Sequence, residues 1–143
     1  MKKLLFLSII ALVFSACEVS PKPINYGSET CAYCKMTIVD KQHASQLVNT
    51  NGKAYNFDAI ECMIHYFEEN KDTKFELYLV NNFEKPGTLI NAKTATYLIS
   101  PQISSPMGAN LSGFALEKAA KKAQKQYDGE VYSWEKIRKK VKE

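Results

Sequence analysis

The sequence contains no apolar run long enough to cross a bilayer. Its longest, Leu4 to Phe14, covers eleven residues with a single serine. At ~1.5 Å per residue such a run reaches about half of a ~30 Å hydrocarbon core. Charge of one sign is also scarce. The formal net charge is +4, and with Lys2 and Lys3 assigned to the leader the remainder carries only +2. That is too little to argue for nucleic acid or an anionic surface as partner. The lysines crowded between Lys118 and Lys142 read as solvated helix faces. The acidic residues are scattered, and no spacing pairs a nucleophile with a base, so no hydrolytic or transfer centre is expected and the chain reads as a binder. Its 143 residues suit one compact domain.

What the first residues do contain fixes a compartment. Lys2-Lys3 is a positive n-region, the apolar run follows, and Ser15-Ala16 supplies small residues before Cys17. This pattern resembles the lipobox of bacterial lipoproteins, with Phe14 standing where Leu is usual. It implies cleavage before Cys17, acylation (palmitate among the chains) at Cys17, and a place on the extracytoplasmic side of a membrane. Two or more acyl chains hold a small domain stably where one would not. The expected division is a signal peptide over 1–16, a lipidated N-terminus and flexible tether over 17–29 with Pro21 and Pro23, and a folded domain over 30–143.

Within the domain the patterns predict strands at Met36–Val39, Ala44–Thr50 and Lys53–Phe57, the last two joined by an Asn51-Gly52 hairpin turn. Asp58 as N-cap, with Glu61 three residues on, predicts a helix over Ala59–Glu69. Further strands are expected at Phe75–Val80 and within Thr88–Ile99. A loop over Ser104–Asn110 should lead to a helix over Ser112–Tyr127, closed by Asp128-Gly129. Ser133 should then cap a last helix over Trp134–Val141. The fold class is α+β, as two strand-strand-helix units with a mainly antiparallel sheet, because the connections are too short for crossovers. A faint echo links the helix starts: Phe57-Asp58-Ala59-Ile60 and Phe114-Ala115-Leu116.

With Cys17 spent on lipid, Cys31, Cys34 and Cys62 remain, an odd number that cannot all pair within one chain. If Cys34 and Met36 lie on one strand, their side chains share a face and form a soft two-point clamp. Soft sulfur ligands select Cu(I). Cys62 and His65 are neighbours on one helical face, with Met63 beside them and simplest as core. Met107 sits in a Ser105-Pro106-Met107-Gly108 loop, and His43 precedes a strand. Three chemistries compete. One is Cu(I) held by Cys34 and Met36 with further sulfur or imidazole. A second is structural zinc on Cys31, Cys34, Cys62 and His65, in treble-clef order. The third and weakest is thiol–disulfide exchange at Cys31/Cys34, which lacks the helix start and βαβ setting that such pairs use.

The run CAYCKMTIVD (31–40), then Gln46-Leu47, then GKAYNFDAIECM (52–63), resembles the NosL family of copper-binding lipoproteins. The stretch from Ser105 through GFALEKAAKKAQKQYDGEVYSWEKI (113–137) is similar to that family's second half, so the resemblance spans Thr30 to Ile137. It implies a fold like that of organomercury lyase and a Cu(I) chaperone that takes copper from a donor and serves nitrous oxide reductase. It further implies Cys34 and Met36 as ligands, Met107 as the Pro-Met-Gly methionine, and a histidine near His43. Family members carry Gly where Lys35 stands and lack a partner equivalent to Cys31. Cys62 and His65 are not part of the minimal motif either, which allows a different metal shell or a different recipient copper enzyme.

Overall fold

A computed structural model describes residues 18–143; Cys17 and the leader lie outside the described residues. The first unit comprises β1 (Ser45–Asn49), β2 (Ala54–Phe57), α1 (Ile60–Glu69), β3 (Phe75–Asn82) and β4 (Lys85–Asn91). The second comprises β5 (Thr96–Ile99), β6 (Leu111–Phe114), α2 (Glu117–Tyr127), β7 (Glu130–Ser133) and α3 (Trp134–Lys142). One sheet runs β2-β1-β3-β4 and the other β6-β5-β7, with every pairing antiparallel.

The two units repeat one plan. In each, strand, strand, helix and strand follow in that order, and the first strand lies between the other two. The registers agree: Ser45 faces Phe57 in the first sheet and Thr96 faces Phe114 in the second. Each phenylalanine is followed by a two-residue bend and then a helix, at Ile60 and at Glu117. The echo between the helix starts is therefore a structural equivalence that pairs Asp58 with Ala115.

Local chemistry explains the hairpin. Gly52 adopts φ 78°, the left-handed region that glycine enters without penalty, and turns β1 into β2. β1 is covered on both faces, so even Gln46 is buried. Its amide is satisfied by the backbone of Lys22 at both ends (2.9 Å each) and by Asn56 (2.7 Å). The segment expected as a flexible tether is thus docked from Lys22 onward. Gly27 N–H also bonds the Ile38 carbonyl at 2.8 Å, and Asn81 donates to the Tyr26 hydroxyl at 2.7 Å.

Three other expectations fail for stated reasons. Met36–Val39 forms no strand: Lys35 turns left-handed at φ 67°, and the pairing of this segment with residues 27–31 stays at a single bridge, Thr30 with Thr37, that does not extend into a ladder. Ser112–Phe114 is strand rather than helix, because β5 supplies a partner ladder and the helix begins only at Glu117. Asp58 does not cap α1; Ala59 holds the cap position and makes no side-chain cap bond. Strand β7, at Glu130–Ser133, has no counterpart among the expected elements.

The main core gathers Leu47, Phe57, Ile60, Met63, Ile64, Tyr97, Leu111, Trp134 and Ile137 from both units. Trp134 of α3 meets Phe67 and Tyr78 of the first unit at 5.8 and 6.2 Å between ring centroids. Each such pair adds about 0.5–1.5 kcal/mol beyond area burial. Beside them, Arg138 and Lys142 of α3 clasp the Glu68 carboxylate of α1, each at 2.6 Å. β6 lies close against β3: a Cβ on Gly113 would stand 3.0 Å from the Val80 side chain and 3.3 Å from the Asn81 carbonyl.

Candidate metal centre

Residues 31–36 form a tight loop. Lys35 N–H donates to the Cys31 carbonyl at 3.1 Å, and Cys31 N–H donates to the Met36 carbonyl at 2.8 Å. The left-handed Lys35 closes this loop, a conformation that costs a residue with a Cβ roughly 1 kcal/mol. The Ala32 N–H bonds the Asn56 carbonyl at 2.8 Å and ties the loop to β2. From the other side, the bend after β2 brings up Asp58, and the first turn of α1 brings up Cys62. The sulfurs of Cys31, Cys34 and Cys62 and a carboxylate oxygen of Asp58 all lie within 4.8 Å of one another. No disulfide joins the three cysteines.

Electrostatics sort the three thiols. Cys31 is held well below the ordinary thiol range because Cys62 hydrogen-bonds to it. Burial opposes this, while the N–H groups of Asp58, Cys34 and Tyr33 converge on its sulfur and reinforce it. Cys62 is pushed up by the same bond with Cys31 and by burial. Cys34 is pushed up to about 11 by burial first, though the Met36 N–H works the other way. The negative neighbours Cys31 and Asp58 add to the rise. Of the three thiols, Cys31 is therefore the one most readily deprotonated. Cys31 and Cys62 are fully enclosed, and Cys34 is half-buried at the rim.

Behind Cys62 opens a cleft of about 580 Å³, whose lining includes Tyr33, Glu61, His65 and Met107. Tyr33 stacks over His65 with ring centroids 5.5 Å apart and an 18° interplanar angle. Met107, 42% exposed, rides a loop fastened by Glu61. The Glu61 carboxylate accepts from Ala109 N–H at 3.2 Å and from the Ser105 hydroxyl at 3.3 Å. Burial pushes the Glu61 carboxyl up from its usual range.

The candidates from the sequence thus divide. Cys31, Cys34 and Cys62 come together. His65 and Met107 line the adjoining cleft with Cys62; His65 stands outside the group, so the zinc set of Cys31, Cys34, Cys62 and His65 is not assembled and Asp58 is its fourth member. Met36 does not share a strand face with Cys34, and its side chain is half exposed beside the loop. His43 is a structural residue: Nδ1 meets Asp40 at 2.7 Å and Nε2 meets Ser112 at 3.1 Å, which leaves no ring nitrogen for a metal. Asp58 and Glu61 were missed as site residues because an acid at a helix start, with another three on, reads as capping.

Such a cluster suits a thiophilic metal ion, and it sits at a helix start of a duplicated strand-strand-helix-strand scaffold. The chain belongs to the NosL family, whose sequence profile matches residues 23–142. It is 30% identical over 129 residues to the copper-binding lipoprotein NosL of Stutzerimonas stutzeri, covering 84% of this chain and 68% of that protein. Its fold matches the crystal structure of the copper chaperone NosL from Shewanella denitrificans with a TM-score of 0.71 at 20% identity, over 82% of this chain and 95% of that one.

Proposed function

We propose that this protein is a lipid-anchored, extracytoplasmic chaperone that takes up Cu(I) on Cys31, Cys34 and Cys62 and delivers it to a copper enzyme. The observation that carries this reading is the convergence of three cysteine sulfurs within 4.8 Å. A thiolate at Cys31 offers Cu(I) a first ligand, and the ion displaces protons from the neighbouring thiols to complete a soft shell. The names of the relatives, a copper-binding lipoprotein and a copper chaperone, favour copper as the cargo. Nitrous oxide reductase is the recipient that the family resemblance suggests.

Delivery asks for release as well as capture. The hydrophobic core, built from both units, holds the fold together without metal, so copper can leave without unfolding the domain. Cys34, half-buried at the rim of the cluster, and the exposed thioether of Met36 two residues on are the sulfur groups of the loop that an acceptor could reach. His65 and Met107 line a second approach behind Cys62. Anchoring rests on Cys17, which lies outside the described residues. Among the described residues no helix is long and apolar enough to cross a membrane.

Anaerobic Cu(I) titration of the full chain in mild detergent, followed by transfer to an apo copper enzyme from the same source, tests the reading. One copper per chain, lost on Cys31→Ser or Cys62→Ser and transferable to the acceptor, supports it. Copper bound equally by those variants, or copper no acceptor can remove, overturns it. For the anchor, Cys17→Ser should abolish acylation and membrane retention; an acylated Cys17→Ser protein would contradict it.

A further inference from the structure

The extracytoplasmic side of a membrane is an oxidising place, where thiols held side by side pass into disulfides. Cys31, Cys34 and Cys62 are held in this way, with sulfurs within 4.8 Å of one another and no bond between them. An S–S bond of ~2 Å therefore asks for side-chain movement of only a few ångströms.

Accessibility decides which sulfur meets an oxidant. Cys31 and Cys62 are enclosed, at 0% and 1% exposure, while Cys34 is half-buried at the rim. An incoming disulfide thus reaches Cys34 first. The Cys34 thiol donates to the Asp58 carboxylate at 3.3 Å, so its proton has an acceptor when the sulfur attacks. The loop then favours one partner. Lys35 N–H bonds the Cys31 carbonyl at 3.1 Å and folds Cys31 back beside Cys34 within a single turn, whereas Cys62 belongs to α1. Cys31 is also the most readily deprotonated of the three, and the thiolate is the attacking form.

We propose that the metal-free protein is oxidised at Cys31 and Cys34 to an internal disulfide, and that a dithiol reductant must reopen this bond before Cu(I) loads. The oxidant is an external disulfide. The Cys34 sulfur attacks it and releases one thiol; Cys31 then attacks the Cys34 sulfur of the mixed disulfide and releases the second. One S–S bond breaks and one forms, two electrons pass from the cysteine pair to the oxidant, and the two thiol protons end on its sulfurs. Reduction by a dithiol runs the same steps in reverse. The closed bond consumes two of the three sulfurs and leaves Cys62 alone, too few for a soft shell. The protein is thereby a substrate of thiol–disulfide exchange, and a reduction step precedes copper uptake. That the bond bars copper rests on the copper-delivery reading; that it forms does not.

The test uses the full chain in mild detergent, metal-free and anaerobic, equilibrated in glutathione buffers of graded potential. Alkylation and tryptic mass mapping locate the bond. Cleavage after Lys35 and Lys53 keeps a Cys31–Cys34 bond within one peptide, whereas a bond to Cys62 ties two peptides together. Cu(I) is then titrated against a competing chelator into the oxidised, reduced and re-reduced protein, and circular dichroism checks that variants fold. The expected result is a Cys31–Cys34 disulfide, retained in Cys62→Ser and abolished in Cys34→Ser, with Cu(I) uptake lost on oxidation and restored on reduction. No disulfide, a bond through Cys62 instead, or an oxidised protein that takes Cu(I) as the reduced one does overturns the proposal. A reversible Cys31–Cys34 disulfide in a chain whose reduced form takes no Cu(I) would leave the disulfide standing and remove the copper-delivery reading instead.

Discussion

The sulfurs of Cys62 and Cys31 lie within 4.8 Å of each other across the gap between α1 and the loop of residues 31–36, and the Cys62 thiol lowers the pKa of Cys31. Neither residue is within reach of the other by local sequence; the bend at Asp58 brings them together. The pairing makes the metal-free domain sensitive to pH in a definite direction.

The Cys31 thiol is lowered to about 6, so its contribution to stability is present above its ordinary value and fades as pH falls through about 6. The Cys34 thiol is raised to about 11, so its contribution is present below its ordinary value and fades as pH rises toward about 11. The stability difference between the parent and Cys31→Ser should therefore widen from about pH 6 to about pH 9, by at most about 1.4 kcal/mol per pH unit. Anaerobic denaturant melts of both metal-free proteins across that range measure it. Parallel curves would show that no thiolate is stabilised at Cys31.

Glu61 fastens the Met107 loop through Ser105 and Ala109. Glu61→Ala should cost about 1–3 kcal/mol and speed hydrogen exchange at the Ala109 amide. Glu61→Gln, which keeps an accepting oxygen, should be milder on both counts. An unchanged exchange rate in Glu61→Ala would mean that the loop holds its place without this contact.

Met36 is half exposed and Met63 fully buried. Met63→Ala should cost about 2–5 kcal/mol as a core truncation, and Met36→Ala less than about 0.5 kcal/mol. If Met36 serves the hand-over, Met36→Ala should nonetheless slow Cu(I) transfer to a chromophoric chelator severalfold. Thermal melts and stopped-flow transfer give the two halves of this comparison. Transfer at the parent's rate would remove Met36 from the pathway.

Much of this was legible in the sequence where the signal is local. Asn51-Gly52 marks the hairpin, the apolar stripe of Ile60, Ile64 and Phe67 marks α1, and the odd cysteine count marks the cluster. What escaped depends on distant partners. Ser112–Phe114 looks helical until β5 pairs with it, and β7 is four residues whose ladder comes from the same strand. Asp58 reads as a cap because its real neighbours, Cys31 and Cys34, approach from a loop 24 residues and more upstream. The reverse error befell His43. A histidine ahead of a strand looks available until Asp40 and Ser112 occupy both its nitrogens.

Copper X-ray absorption on the anaerobically loaded full chain bears most directly on the claim that cysteine sulfur holds the cargo. The account predicts a copper shell made of sulfur, unchanged by His43→Ala and lost when Cys31, Cys34 and Cys62 are together replaced by Ser. A shell dominated by nitrogen or oxygen, or copper retained at full occupancy by the triple variant, would contradict it.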